Sequence, residues 1–119
     1  MSTIAKAEKV VHEILAKFVT DKSGKKHSVP EIPAIMKFGE SVHYRSDDGD
    51  VTIEFVKNGS PFLDLNGNEK TEITSKEPPI MLSKRGIFTC RCFITPPGAT
   101  ARIGWLPDDP SSGGNHDVQ

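Results

Sequence analysis

The chain has 119 residues, of which 35% are hydrophobic and 26% charged. That length suits one folded unit and leaves no room for a large enzyme, while the apolar supply suffices for one modest core and argues against a wholly disordered chain. Fifteen Lys and Arg against sixteen Asp and Glu give a formal net charge of -1, so no global field draws in nucleic acid or an anionic membrane, and no apolar run approaches the roughly 20 residues that cross a bilayer.

At the N-terminus, Ile4, Ala7, Val10, Val11, Ile14, Leu15 and Phe18 recur at steps of three and four, with Lys6, Lys9, Glu13 and Lys17 largely between them. This spacing predicts an amphipathic α-helix over residues 1–22, capped by Ser2 or Thr3 and ended before Gly24. Charged residues interrupt every apolar cluster, so the continuous core of an export signal is missing and the cytoplasm is the expected compartment. The apolar stripe needs cover, either from the chain's own sandwich or from the same helix of a second copy, which makes a homodimer through the N-terminal helix one expectation. Residues 23–33 read as a linker, because Pro30 and Pro33 remove backbone donors and push their predecessors towards extended geometry.

From Ala34 the period falls from about 3.6 to about 2 and turn residues recur at short intervals, the pattern of an antiparallel sandwich or barrel. Strands are expected near Ala34 to Phe38, Ser41 to Arg45, Val51 to Val56, Glu69 to Thr74, Pro79 to Ser83, Gly86 to Thr95 and Ala99 to Trp105, with a last one near Asn115 to Gln119. The breaks fall on Asp48-Gly49, Asn58-Gly59, Asn66-Gly67 and Pro96-Pro97-Gly98, and Asp48-Gly49 suits a tight hairpin with positive φ. The expected fold is mainly β: a Greek-key antiparallel β-sandwich over 34–119, preceded by one helix.

Two strings carry a resemblance. Gly39-Glu40 opens Ser41-Val42-His43-Tyr44, followed by an acidic turn and another alternating strand, and Gly86-Ile87-Phe88-Thr89-Cys90 has the form of a strand that ends in a cysteine. On these residues the segment from about Pro33 to Gln119 resembles the cupredoxin-like β-sandwich family. The resemblance implies a copper site of two imidazoles, one thiolate and a weak axial thioether, with Cys, His and Met clustered on the loop that follows the Cys strand. Here Phe93-Ile94-Thr95-Pro96-Pro97-Gly98-Ala99-Thr100 follows the cysteines without His or Met, and Met1, Met36 and Met81 all precede them. The chain therefore reads as a copper-free relative, a non-catalytic binding or interaction module with no cofactor.

The alternative is a soft-metal protein that holds Cu(I) or Zn(II) between Cys90 and Cys92, with His116 or His43 completing the set. Against it, Phe88, Cys90 and Cys92 alternate on one strand face as small core hydrophobes would, and His43 alternates with Ser41 and Arg45 on a solvent face. The two cysteines stand too close for an unstrained disulfide, so free thiols are expected. The acidic turns at Asp47, Asp48, Asp50 and at Asp64, Asn66, Asn68 lack the spacing of a calcium loop and read as turn chemistry. No nucleophile elbow, phosphate loop or paired-histidine zinc helix occurs, so no enzyme is expected. The expected partner is a protein or a small ligand, with neither nucleic acid nor membrane.

Overall fold

The computed structural model describes residues 10–20, 22–57, 59–104 and 113–119. Its first element overturns an expectation: Val11–Thr20 is a ten-residue strand, β1, and no helix occurs among the described residues. Burial alternates along it, with Ile14 and Ala16 sealed inside while Val11, Lys17 and Val19 stay exposed. The segment carries Val11, Ile14, Val19 and Thr20, β-branched side chains that a strand accommodates better than a helix. Pairing completes the choice, since β1 gains a neighbour on each edge and tertiary context overrides local propensity. The rest of the expected helix, residues 1–9 and Asp21, lies outside the described residues, and the dimer expected to form through its stripe loses its element over Val11–Thr20.

The stretch expected as a linker contributes a second strand, β2 (Lys26–Pro30), joined to β1 through a turn in which Gly24 adopts a φ of 83°. Gly24 thus turns a hairpin instead of stopping a helix. Pro30 closes β2 opposite Ala16, at the outer edge of a sheet where its missing N–H costs no ladder bond. The remaining strands are β3 (Ser41–Arg45), β4 (Asp50–Lys57), β5 (Glu72–Thr74), β6 (Ile80–Met81), β7 (Gly86–Thr95) and β8 (Gly113–Val118). Two expected strands shrink to single bridges, Met36 beside Val118 and Ile103 beside Ile94. Trp105 lies outside the described residues.

The strands form two four-stranded sheets, ordered β2-β1-β3-β6 and β5-β4-β7-β8. All neighbours are antiparallel except β1 and β3, which run parallel in the register Val11 to Ser41 through Leu15 to Arg45. The sheets stack with β2 over β7 and β8 and with β3 over β4. That order sets β6 and β5, the short edge strands of the two sheets, on the same flank of the sandwich.

Inward positions fill the space between the sheets. Ile14, Val42 and Tyr44 from the first sheet meet Val51, Ile53, Phe55, Cys92 and Ile94 from the second, all fully or almost fully buried. The Phe55 and Phe62 rings meet edge to face with centroids 5.6 Å apart, a geometry favoured by their quadrupoles. One close backbone approach fixes the loop after β7: Gly104, at φ 121°, accepts a hydrogen bond from Ser28 N at 2.6 Å, and a Cβ there would overlap Ser28. No helix among the described residues is long and apolar enough to cross a membrane.

Candidate functional site

The long strand β7 buries Phe88, Cys90, Cys92 and Ile94 and turns the residues between them outward. Both cysteines are free thiols inside the core, Cys90 facing Phe55 and Cys92 facing Ile53 across the β4 ladder. Burial pushes the Cys90 thiol up to about 12, and a hydrogen bond from the Gly114 backbone only partly offsets this. Cys92 is raised as well, by burial first and then by the neighbouring Cys90. Thiols held protonated are poor metal ligands and poor nucleophiles, because the thiolate is the reactive form.

His116, on β8, shares that interior. It is 0% exposed, its Nε2 is hydrogen-bonded to Tyr44 Oη at 2.7 Å, and its Nδ1 has no partner among the described residues. The Phe55 ring stands edge to face against it at 5.1 Å. Desolvation lowers its proton affinity to about 4, so the imidazole is neutral near pH 7. The same burial raises Tyr44 well above its ordinary value, with a smaller contribution from Cys90 and Cys92. Tyr44, His116 and the two thiols are therefore a buried polar cluster held in neutral forms.

His43 is elsewhere. It sits on the outward side of β3, where Nδ1 lies 2.8 Å from the Glu13 carboxylate and Nε2 lies 3.2 Å from the Ser75 carbonyl. A sheet separates it from the cysteines, because its neighbours Val42 and Tyr44 point into the core. Among the described residues, no three His, Cys, Asp or Glu side chains gather into a group that could hold a metal ion. The residues that the resemblance would gather at a type 1 copper centre are spread out: Cys90 and Cys92 lie mid-strand in the core, the inward imidazole of His116 is bonded to Tyr44, His43 is on the outer face, and the loop from Pro96 to Gly104 offers no imidazole or thioether. The acidic turns bind themselves, as Asp64 Oδ1 accepts the backbone N–H groups of Asn66 at 2.8 Å and Asn68 at 3.0 Å. At the other turn Asp48 N donates to Ser46 Oγ at 3.0 Å.

The thiol environment has a measurable consequence. Under native conditions, Cys90 and Cys92 should react with a disulfide reagent at least a hundredfold more slowly than in urea, since both the thiolate fraction and access are lost by burial. A fast native reaction at either thiol would contradict the packing of β7.

The sequence gives little warning of the concavity that the fold does build. On the flank where β5 and β6 end the two sheets, a cavity of about 550 Å³ opens between the Leu63–Asn66 turn and the Glu77–Ile80 segment, floored by Ile73. The turn exists because Leu63 bridges Glu69, Gly67 adopts a φ of 81°, and Asp64 caps the amides that follow. The opposite wall is stiffened by Pro78-Pro79. Lys70 and Glu77 pair across the cavity at 2.6 Å, each about one-third exposed. Burial by itself would raise the Glu77 carboxyl, but the Lys70 ammonium and the Thr74 N–H at 2.7 Å outweigh it and hold the group below its ordinary value. Leu65, at the lip, is fully exposed. The one local hint was the Pro78-Pro79 pair. Its opposite wall is brought up only by the sheet order.

No protein-family model matches the chain, and no curated protein matches it.

Proposed function

We propose that this chain is a non-catalytic binding module related to the cupredoxin-like sandwiches, without a type 1 copper, and that it takes a small apolar ligand in the seam between β5 and β6. The observation that carries the reading is the cavity itself. Its volume of about 550 Å³ and its lining by Leu63, Leu65, Ile73, Pro78, Pro79 and Ile80, with few polar groups, match the ordinary anatomy of a small-ligand site. Support for the family relation comes from the two strings that suggested it: Gly39-Glu40 leads into β3 and Gly86 to Cys90 begins β7. Support for a non-catalytic role comes from the most perturbed titratable groups, Tyr44, Cys90, Cys92 and His116, which lie sealed in the core and not in the cavity. The proposed setting is the cytoplasm, supported by two cysteines that remain free.

The test is a titration with Nile red, a neutral apolar dye, followed by fluorescence and by backbone amide shifts. Saturable binding with shifts confined to residues 63–66, 70–73 and 77–80 is expected. Leu65→Asp should weaken binding about ten- to a hundredfold, because covering one leucine contributes about 1.5–3 kcal/mol and each 1.4 kcal/mol is tenfold. The fold should survive that change, since Leu65 is fully exposed. Absence of saturable binding, or a Leu65→Asp variant that binds as tightly, would overturn the proposal.

A further inference from the structure

The seam between β5 and β6 has a charge pattern as well as an apolar lining. Among the described residues three ionic side chains border it, Asp64, Lys70 and Glu77, and together they carry one negative charge in excess. The single cation is already committed, Lys70 Nζ to Glu77 at 2.6 Å. Glu77 in turn is anchored by the Thr74 amide, which keeps its carboxylate at the rim whether or not Lys70 stays. Asp64 is held in place by the amides of Asn66 and Asn68 and forms no ion pair among the described residues. Its charge is thus fixed in position and, among the described residues, has no ion-pair partner, next to the exposed Leu65.

The walls narrow the ligand further. Among the described residues, no aromatic ring lines the cavity to supply the stacking by which nucleobases are held. Branched aliphatic and proline side chains instead suit a saturated hydrocarbon. A carboxylate at the end of that hydrocarbon would meet two anions and a lysine already engaged, whereas an ammonium would meet one unmatched carboxylate and one that can be shared.

Resting on the reading of this seam as a binding site, we propose that its ligand is an aliphatic amine: the alkyl chain lies between Leu63, Ile73 and Ile80 under the cover of Leu65, and the ammonium sits at Asp64 with Glu77 in reach.

The experiment compares three probes of equal chain length, octylammonium, octanol and octanoate, by calorimetry and amide shifts on the full chain at low and high salt. Octylammonium should bind about tenfold more tightly than octanol, with octanoate weakest, and raising the salt should shrink the advantage. Asp64→Asn should bring octylammonium to the affinity of octanol while leaving octanol unchanged. The turn should persist in that variant, since an asparagine Oδ1 still accepts both amides. Equal binding of octanol and octylammonium, or octanoate binding as tightly as the amine, would sink the amine assignment and leave the seam as an apolar site. An Asp64→Asn variant with an unchanged order of the three probes would also sink it. Failure of all three probes together with Nile red would remove the seam site and this assignment at once.

Discussion

Replacing Ala16 with Asp should destabilise the protein by about 3–5 kcal/mol, whereas Leu15→Asp, one residue earlier, should cost only about 1 kcal/mol. Ala16 is 1% exposed and faces the core from β1, opposite Pro30 of β2, while Leu15 is only half-buried on the other side of the sheet. A carboxylate forced into the Ala16 position enters the apolar core, and an uncompensated buried charge costs about 3–5 kcal/mol. Against the 5–15 kcal/mol typical of a domain, that loss is large. At Leu15 the charge can turn to water, and the cost should stay near 1 kcal/mol. Urea denaturation followed by circular dichroism measures both. An amphipathic helix would reverse the order, because its stripe contains Leu15 and leaves Ala16 out, so this pair of variants separates strand from helix.

The second large effect is on acid stability. His116 is neutral and wholly buried, with its proton affinity lowered from 6.5 to about 4. In the unfolded chain the imidazole takes up a proton as the pH falls through about 6.5, but the folded form resists until about 4. The unfolded state therefore binds more protons throughout that window, and stability is lost as pH falls from about 6.5 to about 4, then levels. At about 1.4 kcal/mol for each unit of pH, the loss reaches about 3 kcal/mol. The lowered carboxyls of Glu40, Glu69 and Glu77 also withdraw stability in acid, but only as pH drops through and below their ordinary value of 4.5, beneath most of the histidine window. His116→Gln keeps a neutral amide that can bond to Tyr44 and removes the titration. Between pH 6.5 and 4.5 its stability profile should be flatter than that of the parent by about one proton's slope. Parallel profiles would show that the buried imidazole does not govern acid unfolding.

What could be read before folding, and what could not, divides along the range of the interactions involved. Ser41–Arg45 and Gly86–Thr95 begin and end where the alternation and the flanking turns place them, because a period of two and a glycine or acidic turn are local signals. The N-terminal segment misled because apolar residues occupy both faces of β1: Ile14 and Ala16 serve the core, while Val11, Leu15 and Val19 lie on the outward side. Paired apolar residues such as Val10-Val11 and Ile14-Leu15 then satisfy a helical count. The counter-signal was the enrichment in valine, isoleucine and threonine. The parallel neighbour that completes β1 comes from thirty positions downstream and leaves no mark on the local pattern.

The same division holds for the site. The inward alternation of Phe88, Cys90 and Cys92 was legible, as was the lack of His or Met behind them. That His116 would enter the core and bond to Tyr44, seventy-two positions away, was not. Nor was the seam, whose walls, the Leu63–Asn66 turn and the segment leading into β6, become neighbours only because β5 and β6 end their sheets on one flank. Asp64 was visible as a turn residue. Its place on the rim of a cavity was not.

The parallel pairing of β1 with β3 also sets an order of events. β2 follows β1 through a tight turn, so that hairpin can close as soon as it is made. Yet Ile14 and Ala16 have no core to enter until strand β7, whose Cys90, Cys92 and Ile94 lie across the sandwich, has been added some seventy residues later. A hairpin without a core is marginal in water. The β1-β2 hairpin, made before the strands that cover it, must therefore be among the last parts to become stable, and folding should be governed by long loop closures instead of local structure, in the milliseconds-to-seconds range of non-local β-sandwiches.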